Sequence, residues 1–122
     1  MNYPVERHFK VRSNERLWYV AKWSPGEVDQ AFAGWTAELK VRADKNDRDS
    51  TLLATWDAYV TLGEDPDGTP TDGYVILEVP VAVIEAYDWA GGIGWFDLLL
   101  IDPAGAPLNW IAGSVTIIEG MA

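Results

Sequence analysis

His8 is the single histidine of the chain, so any serine–histidine nucleophile would need it beside an exposed serine, and Ser114 is the serine weighed for that role. The Gly-x-Ser-x-Gly elbow that would lift such a serine above a sheet is absent. Ser114 follows Gly113 inside an alternating apolar run, which predicts a packed or paired hydroxyl, and His8 is expected as an exposed strand histidine. Carboxylates are more abundant. Glu38, Glu78, Asp97 and Glu119 fall on predicted strands, where two could face each other as an acid pair. Solvated sheet faces are the expected outcome for them. Glu64, Asp65, Asp67 and Asp72 could wrap a calcium ion, as could Asp44, Asn46 and Asp49. Hard cations want several oxygens on one loop, but neither set has EF-hand spacing, and solvated turns are expected at both. With no cysteine, thiolate metal sites and disulfides are excluded. No phosphate loop or dinucleotide fingerprint is present. The expectation is a chain with no catalytic residues, no metal and no cofactor.

Tryptophan is the residue type in surplus, with seven in 122 residues. Tryptophan is enriched at interfaces because its large ring is apolar and its N–H is polar. Alternation puts Trp35 in a core. Trp18 with Val20 lies opposite Leu17 and Tyr19, and Trp95 lies opposite Phe96, Leu98 and Leu100, so both faces of those strands are apolar. A small domain has one core, and apolar residues on a second face imply a covering partner. Trp18, Trp23, Trp56, Trp89, Trp95 and Trp110 are therefore the expected protein-interface residues. Sugar stacking is the competing use of exposed indoles.

These residues need elements to hold them, and the elements are short. Val5 to Arg12 alternates with Arg7, Phe9 and Val11 on one side. Arg16 to Trp23 follows, then the turn Ser24-Pro25-Gly26. Trp35 to Arg42 is the clearest strand, because its apolar residues recur with a strict period of two. Leu52 to Trp56 and Tyr59 to Leu62 are two short strands or one interrupted strand. Gly63 to Gly73, rich in proline, glycine and acid, is expected as a loop or a wide hairpin connection. Tyr74 to Val79 is a strand, and Pro80 opens one or two helical turns within Val81 to Trp89. Trp95 to Ile101 and Leu108 to Ile118 are the last strands, joined by Asp102-Pro103-Ala104-Gly105, a type I turn closed by a left-handed glycine. This pattern predicts one domain over residues 1–122: an all-β, antiparallel, immunoglobulin-like sandwich of about seven strands with one short helix.

Nineteen acidic residues against nine basic ones give a net charge of −10. That charge repels nucleic acid and anionic membrane surfaces. Met1 to Lys10 lacks an apolar signal region, and no apolar stretch reaches membrane-spanning length.

Several motifs stand in a fixed order. Trp23-Ser24-Pro25-Gly26 closes an aromatic first strand. Phe32-Ala33-Gly34-Trp35 leads into Ala37-Glu38-Leu39-Lys40-Val41-Arg42. Phe96-Asp97-Leu98-Leu99-Leu100 runs into Asp102-Pro103 and Gly105, and Ile111-Ala112-Gly113-Ser114-Val115 closes the series. Over roughly residues 9 to 118 this order resembles small virion proteins of tailed bacteriophages, with immunoglobulin-like sandwich domains of the tail, neck, baseplate or fibre anchor. The family usually has serine or threonine where Ala33 stands. The resemblance implies a non-enzymatic structural protein, made in the bacterial host cytoplasm and located in the virion. Its partners would be other virion proteins and symmetry-related copies of itself. A capsid decoration protein and a carbohydrate-binding module are the alternatives.

Overall fold

The computed structural model describes residues 4–45, 49–87, 89 and 92–118. Eight strands and one short helix follow one another: β1 (Val5–Arg12), β2 (Leu17–Lys22), β3 (Thr36–Arg42), β4 (Leu52–Thr55), β5 (Val60–Glu64), β6 (Pro70–Val79), α1 (Val81–Glu85), β7 (Ile93–Ile101) and β8 (Pro107–Ile118). They form two sheets, one in the order β1-β8-β7-β3-β4 and one in the order β2-β6-β5. The two central hairpins, the crossing of consecutive strands between sheets, and a fifth strand beside β3 give the strand order of a variable-type immunoglobulin sandwich.

The all-β, immunoglobulin-like sandwich expected from the sequence is therefore present, and the structure refines it in four respects. Among the described residues there are eight strands rather than about seven. β1 runs parallel to β8, from Val5 opposite Ile111 to Arg12 opposite Ile118, so the sandwich is not wholly antiparallel. The two short runs around Trp56 belong to different sheets, β4 to the larger and β5 to the smaller. Between them Asp57–Tyr59 forms a single 3-10 turn that carries the chain across. The acidic stretch from Gly63 to Gly73 is mostly strand; only a tight turn separates Glu64 from Pro70.

The inner faces meet in one core. Leu39, Val41, Phe96, Leu98, Leu100 and Val115 of the larger sheet pack against Leu17, Val75, Leu77 and Val79 of the smaller. Alternation along each strand puts these side chains on one face, and removing them from water is the main stabilising term. Ile84 of α1 is fully buried beneath the sheets.

The indoles close the openings that two stacked sheets leave. Trp23 has Phe32, Trp35 and Trp110 around it, with ring centroids 5.8–6.2 Å away. Trp56 packs on Tyr87, which packs on Trp89. Trp56 has no exposed surface, and it donates its indole N–H to the Tyr87 hydroxyl at 2.6 Å. Burial of Tyr87 pushes its phenol pKa above the ordinary value. The excess of aromatic surface is thus largely spent inside the domain. Trp23, Trp56 and Trp110, expected at an interface, are core residues at 9%, 0% and 5% exposure. The physical reason is that long connections fold over the open flanks of a small sandwich, and large flat rings cover that area with few residues.

Candidate docking groove on the larger sheet

Trp95 and Trp18 are the two expected interface residues that stand on outward sheet faces. Trp18 belongs to the smaller sheet and is 40% exposed. The Arg16 guanidinium lies 3.8 Å above its ring and is held by Glu78 at 3.2 Å, so an intramolecular cation already covers that indole. Trp89 is half-buried against Tyr87, and its ring lies so close to Gly94 that a Cβ there would meet it. It braces the start of β7 rather than facing outward.

Trp95 lies in a different setting. Its cross-strand neighbours are Arg42 on β3 and Ser114 on β8, and the next row is Lys40, Asp97, Ala112 and Glu6. Ala112 and Gly113 carry little or no side chain. The floor therefore drops between Trp95 and β1, leaving a groove of about 290 Å³. Arg42, Lys45 and Lys40 stand on one bank and Glu6 on the other. The volume is at the small end of the roughly 300–1,000 Å³ typical of small-molecule sites, and it suits one or two protruding side chains.

The charges around the groove are not equally committed. Glu6 accepts from His8 Nε2 at 2.8 Å, and Asp97 accepts from Asn109 at 3.1 Å. Asp44 is held in its loop through a backbone N–H donated to Ser50 Oγ. Lys40 pairs with Asp57, whose other oxygen accepts the Leu39 N–H. Among the described residues Arg42 donates to the Ser50 carbonyl at 3.3 Å, and Lys45 stands 5.3 Å from the Trp95 ring centre. Among the described residues, neither cation has a carboxylate at ion-pair distance.

His8 and Ser114 do come together, as the parallel register of β1 and β8 dictates. His8 Nδ1 lies 2.7 Å from Ser114 Oγ, and Ser114 is 8% exposed. The paired hydroxyl read from the sequence is observed. Ser114 sits mid-strand between β1 and β7, so the surrounding amides run along the sheet ladder instead of converging on an incoming oxygen.

The other candidates disperse. Glu38 and Asp97 share the larger sheet, Glu78 lies on the smaller one, and Glu119 is outside the described residues. Asp65 spends its carboxylate on the backbone N–H groups of Asp67 and Thr69, both at 2.9 Å. Asn46 lies outside the described residues. Among the described residues no cluster of acids or histidines has metal-holding geometry. Asp29 has its carboxyl held below the usual range by the Ser24 hydroxyl and the Lys22 ammonium, a local tie between β2 and the following loop. Trp95 lies on an outward sheet face beside Arg42 and Lys45, which were not among the residues expected from the sequence. The signal was available in the alternation of β3, which turns Lys40 and Arg42 outward beside Trp95.

No family model and no curated protein matches the chain. Among solved structures it is similar to Tim-1 over 100% of this chain and 98% of that one, with 11% identity and a TM-score of 0.43. A likeness at that level has no bearing on function.

Proposed function

We propose that the chain is a non-enzymatic structural component of a tailed-phage virion. It docks in the tail, neck, baseplate or fibre-attachment region through the outer face of its larger sheet. Support for the virion setting is the order of motifs from Phe32-Ala33-Gly34-Trp35 to Ile111-Ala112-Gly113-Ser114-Val115. The observation that carries the docking role is the Trp95 groove. There an indole and two cations with no carboxylate at ion-pair distance among the described residues share the outer face of the larger sheet with the exposed Ile93. Buried aromatic and arginine side chains dominate the energy of protein interfaces. Sugar stacking wants rings in a flat row, whereas Trp18 and Trp95 stand on different sheets.

The test is incorporation into particles. Chain carrying Trp95→Ser is expected to drop out of purified virions, while its thermal midpoint falls by less than about 5 °C. Retention of the variant at wild-type copy number overturns the docking face. Failure of the wild-type chain to co-purify with particles overturns the virion setting. Density in a map of the particle distinguishes tail-region docking from capsid decoration.

A further inference from the structure

Two turns of the fold are built alike. Asp65-Pro66-Asp67-Gly68 joins β5 to β6, and Asp102-Pro103-Ala104-Gly105 joins β7 to β8. In each, the glycine N–H donates to the carbonyl of the leading aspartate at 2.9 Å. The aspartate carboxylate accepts two more backbone N–H groups: Asp67 and Thr69 in one turn, Ala104 and Ala106 in the other. The glycine takes a positive φ of 83° or 88°. A second proline, Pro70 or Pro107, then starts the next strand.

They differ in what the tip presents. Pro103 packs beside Gly34, where an added Cβ would lie 3.1 Å from its ring. Ala104 carries no charge. Pro66 and Asp67 are exposed, and the Asp67 carboxylate makes no hydrogen bond or ion pair among the described residues. A turn of this kind folds with alanine at that position, so the fold does not require Asp67.

The tip and the groove are also far apart in one molecule. Gly73, at the base of the β5–β6 hairpin, bonds to Trp23 and Gln30, and the loop that follows reaches Gly34 beside the β7–β8 turn. The hairpin therefore rises at that end of the sandwich. Trp95 lies along β7 beyond Ile101, about 20 Å from the turn at roughly 3.3 Å per residue, and on the other sheet. No copy can seat its own tip in its own groove.

We propose that copies of this chain associate head to tail. Pro66 and Asp67 of one molecule enter the Trp95 groove of the next, where the proline ring lies on the indole and Arg42 and Lys45 take the carboxylate. The occupant follows from complementarity: an exposed acidic tip meets a small groove of two cations, and among the described residues neither the tip carboxylate nor the cations have an ion-pair partner. Such a heterologous contact repeats into a ring or a filament. It rests on the docking role given above to this face.

The experiment is a charge swap read by sedimentation velocity, at about 0.15 M salt and protein concentrations up to about 1 mM. Wild type is expected to grow in mass with concentration. Asp67→Lys and Arg42→Glu should each weaken association about tenfold or more, and the double variant should recover most of the loss. If Arg42→Glu lowers the melting midpoint, Lys45→Glu on the neighbouring exposed loop replaces it in the pair. A wild-type chain that stays monomeric throughout overturns the proposal. So does association that ignores the single reversals, or a double variant that fails to recover. Trp95 shielded by a different virion protein, with no self-association, assigns the groove to that protein and also overturns it. Particles distinguish this failure from failure of the docking role: incorporation lost in Trp95→Ser but intact in Asp67→Lys removes the self-contact and leaves docking standing.

Discussion

Tyr87 shows how a single hydroxyl can hold the flank of the core. Its oxygen accepts the N–H of Trp56, a side chain with no exposed surface. Tyr87→Phe keeps the ring and leaves that N–H buried without a partner, which costs about 1–3 kcal/mol. Chemical denaturation of the two proteins at neutral pH measures the difference. The raised phenol pKa adds a pH signature. The folded state holds the proton more tightly than the unfolded chain does. The corresponding stability is present in full below the ordinary tyrosine value near 10 and is lost as pH rises through the higher folded value. Denaturation midpoints followed from about pH 8 to pH 11 should fall more steeply for wild type than for Tyr87→Phe. Nothing in the sequence pointed to this pair, because Trp56 and Tyr87 meet only when the β4–β5 crossover and the segment after α1 fold onto the same flank.

At the level of elements, legibility tracked periodicity and turn chemistry. β3 was readable because Ala37, Leu39 and Val41 alternate with charged residues and one face is buried. The β7–β8 turn was readable because Asp102, Pro103 and Gly105 each have a conformational role in it. Asp102→Ala removes two bonds to backbone N–H groups and should cost about 1 kcal/mol, measurable in a thermal melt. The sister turn was hidden because acids and glycines on both sides made a tight turn look like a long loop, although Asp65, Pro66 and Gly68 have the same spacing. The parallel pairing of β1 was not legible either, since its partner strand lies at the far end of the chain. Gly113 marks that pairing in the structure: a methyl group there would overlap the Arg7 carbonyl. Gly113→Ala is expected to loosen β1 from β8, read as lost hydrogen-exchange protection at Phe9 and Val11 while amides of β6 stay protected.

Across the whole molecule, the number of indoles was easy to count and their placement was not. A surplus of aromatic surface looked like an uncovered face, yet most of it seals the openings between two short sheets. Among the described indoles that keep exposed surface, Trp18 is covered by Arg16 and Trp95 lines the groove, while Trp35 and Trp89 are half-buried against the core. Trp56→Ala should therefore cost about 3–5 kcal/mol of folding stability. The same truncation at Trp95 should cost far less, and urea titrations of the two variants side by side test the contrast. Charge behaves similarly at this scale. The net value of −10 predicts mutual repulsion between copies at long range, but the sum hides a local site where Arg42 and Lys45 have no ion-pair partner among the described residues.

The unequal wrapping of the indoles also makes the chain its own optical gauge. Trp56 fluoresces from a dry site that a dissolved quencher such as acrylamide reaches only when the protein opens. Trp95 is within reach of the same quencher in the native state, so anything seated over it shields emission without altering the signal from the interior. Occupancy and unfolding can thus be followed separately, in one cuvette and with no attached dye.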